Sequence, residues 1–466
     1  MKKIMVWMAL LIVAVGGVFF WQTTSASIDE LALPKAPFDQ KVEDVTPDVL
    51  NKESEWTTNF THDGAIFKDG DTYYVFSTDY MVGGPPTPGI QIRKSTDLIH
   101  WEFVGRVFDQ VSEEAFAWAG GNTFWAPAIT KIGDRFHLYY SVSGVGSRTS
   151  YIGLATASTI EGPWEDEGAV VTSKDGDGGV ANAIDPHVTQ DASGKWWMTY
   201  GSYFGGIFLT EIDPGTGKRV DESSEGTLLA KRKDMSMGIE GPEILYNDET
   251  GYYYLMVSYG WLEDTYNVRI GRSKSIAGPY VDSRGRDLRD ESDESFDTGV
   301  KIVGSYRFEG DDGYVGTGHS AFLEDGTDTF VLHQARPSED IYWSQLHVRK
   351  VYWTKDGWPV VSPECYAGEG DVEVDDAHLV GDWDVITFPR FDDGQQASST
   401  LTLERGGKLE NGDGSWRLNG SVLEVEVGQE TYETQVGAAW DWENWQPTII
   451  FTGLSEDGTA VWGKKR

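Results

Sequence analysis

Three acidic residues occur at matching points of a repeated sequence pattern. Asp63 and Asp185 begin two copies of the pattern, and Glu240 stands just before a third copy. A carboxylate at the apolar end of an inner strand is costly unless it is paired or functional. Two facing carboxyl groups can hydrolyse a glycosidic bond, and a third can raise the pKa of the proton donor. A single acid at such a place is more simply a turn cap, but three in register predict this chemistry.

The repeated pattern must bring these acids together, because they are far apart in sequence. Its five copies begin near Asp63, Pro127, Asp185, Pro242 and His319. Each copy has a small or polar first residue, an apolar strand, a turn with Gly and Asp, and an aromatic strand. Five such hairpins predict a five-bladed β-propeller, in which the innermost strands all approach one central channel. The leading residues of the five copies are then neighbours.

A different pattern follows Pro363. From about His378, short alternating strands are separated by Gly, Asp and Asn turns at close spacing, which predicts a small antiparallel barrel. The phrase Gly381-Asp382-Trp383 is similar to the start of lipocalin-like barrels. We therefore predict an all-β chain with a lead-in at 27–56, a propeller at 57–363, a linker at 364–377 and a C-terminal β-barrel at 378–466.

The N-terminus is typical of an exported protein. Lys2 and Lys3 precede an uncharged run over 4–21, and small polar residues then lead to Ala26. This pattern predicts a signal peptide at 1–26 and a secreted protein. The apolar run is also near the length of a membrane span, so an uncleaved N-terminal anchor is the alternative. The single cysteine, Cys365, excludes a disulfide within the chain.

The charge restricts the class of partner. The formal net charge is −37 at pH 7, and removal of 1–26, which holds two lysines and no acid, would make it −39. Such a surface repels nucleic acid, anionic membranes and polyanionic sugars. We therefore expect a monomer that acts on a neutral polysaccharide, with no nucleic acid and no stable membrane partner.

Six phrases in order resemble the family 43 glycoside hydrolases, and more narrowly their secreted endo-1,5-α-L-arabinanases. The phrases span about 60–367 and are His62-Asp63, Phe124-Trp125-Ala126-Pro127, Asn182-Ala183-Ile184-Asp185-Pro186, Ile239-Glu240-Gly241-Pro242, the segment 265–273 (TYNVRIGRS) and Gly318-His319-Ser320. The later segment HVRKVYWTKDGWPVVSPECYAGE is similar to arabinanases that add a C-terminal barrel. The resemblance implies a five-bladed propeller and an inverting mechanism.

The resemblance also implies a role for each acid. Asp63 corresponds to the general base, Glu240 to the general acid, and Asp185 to the residue that raises the pKa of the acid and orients it. Gly64 stands where the family more often has proline, which leaves the backbone beside Asp63 looser. Glu243 is the rival for the acid, but residues three apart on a regular strand point to opposite faces, so we expect only Glu240 to face the channel.

The remaining candidate site residues are a metal contact and four sugar contacts. In related arabinanases a histidine in the Gly-His phrase touches a central Ca²⁺ that is mostly water-ligated, so His319 is the predicted metal contact. One imidazole is a poor Ca²⁺ ligand, and the alternative is a histidine hydrogen-bonded within the channel. Trp125 is the predicted stacking platform, although blade packing is its other explanation. Asn182 and Ser202 are predicted hydrogen-bond partners, and Arg336 is predicted to point into the channel.

Two other functions are compatible with this pattern. An exo-acting arabinofuranosidase or β-xylosidase would share the fold. Its substrate would bind in a blocked pocket, whereas an endo enzyme needs a groove that is open at both ends. A non-catalytic glycan-binding propeller would use the many aromatic residues, which make up 13% of the chain. The intact set of three acids argues against this last reading.

Overall fold

The computed structural model describes residues 31–41, 47–292, 298–410, 412 and 414–466. The predicted signal peptide at 1–26 lies outside these residues. In the described ranges, none of the helices has the length and apolarity needed to cross a membrane.

Between Ala65 and Val361 the chain forms five antiparallel sheets. Their strands, sheet by sheet, are β1 (Ala65–Asp69), β2 (Thr72–Ser77), β3 (Gln91–Ser95) and β4 (Glu102–Arg106); β5 (Trp125–Ile132), β6 (Arg135–Val142), β7 (Ser150–Ala157) and β8 (Glu165–Ser173); β9 (His187–Gln190), β10 (Trp196–Tyr200), β11 (Ile207–Asp213), β12 (Lys218–Arg219) and β13 (Thr227–Ala230); β14 (Ile239–Asn247), β15 (Tyr252–Tyr259), β16 (Asn267–Ser273) and β17 (Val300–Val303); and β18 (Tyr306–Arg307), β19 (Tyr314–Asp325), β20 (Asp328–Pro337), β21 (Gln345–Trp353) and β22 (Pro359–Val361).

The five sheets are the blades of a closed propeller. The innermost strands β1, β5, β9, β14 and β19 each contact the next, and β19 contacts β1. The segment before β1 seals the ring, because Asn59 forms a bridge with Gln345 of blade 5 and Leu346 N donates to Thr58 O at 2.9 Å. The prediction of a five-bladed propeller is confirmed.

A hairpin returns the chain of each blade to the end that carries the acids, and in blades 1 and 2 this hairpin is tight. Asp69 pairs with Thr72 and Ile132 with Arg135, so two residues, Gly-Asp in both cases, form each of these turns. Glycine suits such turns because they need positive φ. The second strand of a blade therefore ends beside the residue that precedes its first strand. One short helix, α1 (Glu113–Ala119), lies between blades 1 and 2, and 3-10 turns occupy Pro47–Asn51, Glu53–Glu55 and Met235–Met237.

The C-terminal region is a closed antiparallel barrel, as predicted. After the short helix α2 (Asp376–Leu379), its strands are β23 (Gly381–Phe388), β25 (Ser399–Glu404), β26 (Lys408–Leu409), β27 (Gly414–Asn419), β28 (Val422–Val427), β29 (Glu430–Asp441), β30 (Gln446–Ser455) and β31 (Ala460–Lys465). The additional strand β24 (Gln396–Ala397) leaves the barrel and pairs with β18 of blade 5. Large apolar side chains, among them Trp383, Trp416 and Phe451, form the core of the barrel.

The barrel shares a hydrophobic core with blades 4 and 5. Barrel residues Phe388 and Trp462 belong to the same buried cluster as Tyr254, Ile270 and Val331 of the propeller. The ring of Trp462 lies 5.3 Å from that of Tyr306 and 4.7 Å from that of Phe388. Because the two folds bury these side chains against each other, the barrel is fixed to the propeller rather than tethered to it.

Candidate active site

Asp63 is a buried carboxylate between two imidazoles. Its Oδ1 lies 2.9 Å from His319 Nδ1, and its Oδ2 lies 2.8 Å from His62 Nδ1, although His62 is not aligned for a hydrogen bond. Thr78 Oγ1 also donates to Oδ2 at 2.6 Å. Burial by itself would raise the pKa of Asp63, but His319 and His62 outweigh it and hold this pKa well below its usual range. Asp63 is therefore ionised at neutral pH.

Asp185 and Glu240 form a pair of buried carboxyl groups. The N–H of Gly241, the residue after Glu240, donates to Asp185 Oδ2 at 3.1 Å. Ser202 Oγ donates to Glu240 Oε2 at 2.9 Å. Burial is the main cause that raises the pKa of both carboxyl groups, and negative charge adds to it, from Glu240 and Asp63 on Asp185 and from Asp63 on Glu240. Because the two titrations are linked, the protons belong to the pair rather than to either residue.

Three of the five leading residues, and the glycine just before a fourth, have a left-handed backbone. The φ angles are 52° at Asp63, 55° at Asp185 and 48° at His319, and 55° at Gly241, which follows Glu240. A non-glycine residue in this region is strained by about 1–2 kcal/mol, so the surrounding structure must hold it there. With this backbone conformation the side chains of Asp63 and His319 meet at the centre of the molecule.

Each of these positions is held by the preceding blade. In all five cases a side chain near the end of its second strand contacts the start of the next blade. Four of these side chains accept from a backbone N–H: Asp79 Oδ2 from Phe124 N at 2.7 Å, Ser141 Oγ from Asp185 N at 3.1 Å, Ser258 Oγ from His319 N at 2.8 Å and Gln334 Oε1 from Asp63 N at 2.9 Å. In the fifth case Ser202 Oγ donates to Glu240. We call these contacts the inter-blade relay.

The expectation for Glu243 was wrong. Glu240 pairs with Ser258 and Glu243 with Met256, so a β-bulge adds one residue to β14 between them. The bulge reverses the alternation of faces, and Glu243 therefore points to the same side as Glu240. Its Oε1 accepts from Phe322 N at 2.7 Å, and burial raises its pKa to about 8.

Below the three acids the channel contains a small cavity. Its volume is about 100 Å³, and its lining includes His187, Glu243, His319 and Ser320 from three inner strands. Glu243 Oε2 lies 3.7 Å from His187 Nδ1. The buried Ser320 hydroxyl has no hydrogen-bond partner within the described ranges. The cavity is therefore polar and has unused hydrogen-bonding capacity.

The predicted sugar contacts lie at different distances from the acids. Ser202 contacts Glu240 directly, and half-buried Trp125 begins β5 opposite Ser141. The Asn182 amide is occupied within the protein: its Oδ1 accepts from Ser150 Oγ at 2.7 Å and its Nδ2 donates to Ser202 O at 3.3 Å. Arg336 donates to Tyr80 OH at 3.0 Å and to Ile341 O, with Tyr80 between it and His62. Their roles in sugar binding stay predictions.

Sequence reasoning named Ser202 as a sugar contact but missed the inter-blade role of the relay side chains. Ser141, Ser202 and Ser258 were each visible as a serine at or near the end of the aromatic strand of a repeat, with Thr78 in the same place in the first copy. This recurring hydroxyl was the available signal. In the sequence, His62 and Tyr266 were seen only as parts of motifs. Burial and Glu240 raise the pKa of Tyr266 well above its usual value.

A separate acidic cluster lies between the barrel and the end of the propeller. Glu364, Asp441 and Glu443 are the one group of three or more potential metal-ligating residues that lie close together in the described part of the chain. Lys464 Nζ lies 2.8 Å from Glu364 Oε1 and 2.9 Å from Asp441 Oδ1, and also contacts Glu443. The ammonium group therefore already occupies the place that a cation would take.

Comparisons with known proteins agree in both parts of the chain. The model of glycosyl hydrolases family 43 matches residues 57–359, and that of a C-terminal lipocalin-like domain matches residues 363–463. Extracellular endo-alpha-(1->5)-L-arabinanase 2 of Bacillus subtilis is 33% identical over 448 residues, covering 87% of this chain and 92% of the relative.

Two further relatives differ in the action for which they are named and in the share of this chain that they match. The extracellular exo-alpha-(1->5)-L-arabinofuranosidase ArbA of Cellvibrio japonicus is 34% identical over 325 residues, which cover 64% of this chain and 86% of the relative. The crystal structure of endo-1,5-alpha-L-arabinanase from Thermotoga petrophila superposes with a TM-score of 0.80 at 30% identity, covering 88% of this chain and 99% of that chain. The endo-arabinanase relatives from Bacillus subtilis and Thermotoga petrophila described above thus match over most of this chain, barrel included.

Ser141→Ala tests the inter-blade relay. The variant leaves the buried N–H of Asp185 without its acceptor, and such a loss costs about 1–3 kcal/mol. We expect the free energy of unfolding, measured by urea denaturation, to fall by about 2 kcal/mol. Ser193→Ala is the control, because that hydroxyl donates to Asp191 in an exposed turn and its loss should cost less than about 0.5 kcal/mol. Equal stability of the two variants would contradict the relay.

Proposed function

The chain belongs to the glycosyl hydrolases of family 43 and is a glycoside hydrolase, and from this premise we propose that it is a secreted, inverting endo-1,5-α-L-arabinanase. The observation that carries the proposal is the group of three buried carboxyl groups, of which one has a lowered pKa and two have raised pKa values. A base and an acid with separated pKa values are what glycoside hydrolysis requires.

Asp63 is the proposed general base. Its low pKa keeps it ionised, and Oδ1 has a second lone pair beside the one directed at His319, with which it can accept a proton from water. Thr78 and Gln334 fix the side chain and backbone, so the carboxylate needs little reorganisation during the reaction.

Glu240 is the proposed general acid, with Asp185 as the residue that raises its pKa and orients it. The pair retains a proton at neutral pH because both carboxyl groups are buried close to negative charge. Ser202 Oγ donates to Oε2 of Glu240, and Tyr266 also interacts with this carboxyl group. In the proposed mechanism Glu240 protonates the departing arabinose oxygen. Asp185 holds the peptide of Gly241 and thereby the backbone that carries Glu240.

Arabinan and the endo action are inferred from the relatives. Both of the first two curated relatives are named extracellular endo-arabinanases and match over more than 85% of this chain, barrel included. Export is supported by the signal-peptide pattern of the N-terminal sequence and by the word extracellular in the names of both relatives. An exo-acting enzyme is the second candidate, because the relative from Cellvibrio japonicus matches the propeller and is named for exo action.

The channel cavity fits a Ca²⁺ ion. Glu243 and Ser320 offer oxygen atoms, which Ca²⁺ prefers, and the volume of about 100 Å³ has room for about three waters. His319 would contact the ion through Nε2, since Nδ1 is directed at Asp63. When bound, the ion would supply positive charge that keeps the carboxylate of Glu243 ionised, and at His319 it would take the place of the second imidazole proton.

The products of debranched arabinan test the proposed activity. We expect the purified protein to release oligosaccharides of mixed length early in the reaction, because an endo enzyme cuts at internal links. Chromatography of samples taken over time provides the measurement. Monomer or a single oligomer from the outset would indicate exo action, and a lack of products from both arabinan and xylan would overturn the proposed function.

Charge-removing variants distinguish the base from the acid. Glu240→Gln should lower kcat on arabinan by about 10²–10⁴-fold but retain most activity on a 2,4-dinitrophenyl arabino-oligosaccharide, whose leaving group departs without a proton. Asp63→Asn should lose activity on both substrates, because each still needs activated water. Asp213→Asn, a control in an exposed turn, should match the wild type. If Glu240→Gln lost the activated substrate as well, its assignment as acid would be wrong.

Chelation tests the Ca²⁺ site. After exhaustive treatment with EDTA, we expect a lower melting temperature and lower activity, both restored by CaCl₂, because bound ligand stabilises the folded state. Glu243→Gln should weaken this response by removing a charged oxygen ligand. Unchanged melting and activity in the chelated protein, with its metal content measured as zero, would eliminate the ion from the proposal.

A further inference from the structure

Three cationic side chains are buried behind the strand that carries Glu240, two of them in blade 4 and one in the segment that leads to it. Arg232, Arg269 and Lys301 are 9%, 1% and 2% exposed. Burial, together with the nearby positive charge of Arg269, lowers the pKa of Lys301 to about 8, although Asp393 acts to raise it. A cluster of this kind is stable only when negative groups compensate the charge.

A loop of the barrel supplies that compensation. The loop, 389–396, follows β23 and surrounds two of the cations: Asp393 Oδ1 lies 2.6 Å from Lys301 Nζ and 3.2 Å from Arg269 Nη2. Lys301 Nζ also donates to the carbonyl oxygens of Pro389 and Asp392, both at 2.8 Å, and Arg269 Nη2 to that of Arg390 at 2.7 Å. The barrel thus reaches into the interior of the catalytic blade.

Hydrogen bonds connect these cations to the residues just before Glu240. Arg269 Nε donates to Asn267 Oδ1 at 2.9 Å, and Asn267 Nδ2 donates to Tyr259 O at 3.2 Å. Tyr259 pairs with Ile239, the neighbour of Glu240. By a second route, Arg232 Nη1 donates to Gly238 O at 3.1 Å.

The ring of Tyr259 joins the two routes. The guanidinium of Arg232 lies 4.3 Å from the ring centroid and that of Arg269 lies 5.3 Å from it. Two cations at one aromatic ring repel each other, and a nearby carboxylate reduces the repulsion. Asp393 is that carboxylate for Arg269, and its field reaches Arg232 as well.

We propose that Asp393 of the barrel is a positioning residue for Glu240, so that the barrel loop 389–396 is part of the catalytic apparatus. Asp393 holds Arg269 against Asn267, and this arrangement fixes the end of β15 and the start of β14. Glu240 then meets the leaving oxygen in the right orientation. The inference rests on the proposed function, because it assigns Glu240 the role of acid.

Asp393→Asn in the full-length chain tests the inference. The variant keeps the shape of the side chain and removes its charge, so Arg269 and Arg232 shift and Glu240 with them. A displacement on the order of 1 Å lowers rates by up to about 10²-fold. We expect kcat on debranched arabinan to fall about tenfold, and kcat on the 2,4-dinitrophenyl arabino-oligosaccharide to change less than about twofold.

Asp392→Asn is the matched control. It removes the same charge from the same loop, but the Asp392 carboxylate accepts from Gly394 N in an exposed turn and only its backbone contacts Lys301. We expect both substrates to be turned over as by the wild type. The comparison separates loss of the Asp393 contact from a general effect of loop charge.

The possible outcomes discriminate between the two proposals. Wild-type kinetics of Asp393→Asn on arabinan, or an equal loss on both substrates, would overturn the positioning role while leaving the proposed function intact. Failure of the wild type on arabinan would instead refute the proposed function. If Asp393→Asn unfolds, the double variant Asp393→Asn/Lys301→Met keeps the charge balance. The same selective loss of kcat on arabinan is then expected. An equal loss on both substrates would again overturn the positioning role.

Discussion

The structure of the site depends on the hydrogen bond that each blade makes to the first residue of the next. In a closed ring of five blades, the second strand of each blade has the next blade beside it. A side chain near the end of that strand contacts the N–H of Asp63, Asp185 or His319 or the carboxyl group of Glu240. These bonds hold residues in a left-handed backbone that they would otherwise leave. The ring that makes the fold is therefore also the device that aims the acids.

The same convergence separates the acids chemically. Burial raises the pKa of any carboxyl group, and it acts on all three. Only Asp63 stands between two imidazoles, which reverse the direction of its shift. Because His62 precedes Asp63 in the chain and His319 comes from the last blade, closure of the ring between blades 5 and 1 creates the difference between base and acid.

The sequence could predict the repeat, the propeller, the barrel and the meeting of the leading residues, because each rests on alternation and turn residues that are visible locally. It could not predict that Glu243 faces the channel, since a β-bulge at Gly241-Pro242 changes which side chains share a face. Nor did it predict which nitrogen of His319 meets Asp63, because that depends on blades 1 and 5 being neighbours. The recurring serines were visible, but their partners lie in the next repeat.

The contact between barrel and propeller is the part least accessible from sequence. Asp393 is one of 75 acidic residues, and nothing in its neighbours distinguishes it from those on the surface. Its partners, Arg269 and Lys301, lie about 100 residues earlier and are buried in blade 4 where the barrel loop contacts them. Since uncompensated charges cannot remain buried, the barrel loop that contacts Arg269 and Lys301 must also bring a carboxylate to them. The catalytic blade and the barrel are consequently complementary parts of one folded unit.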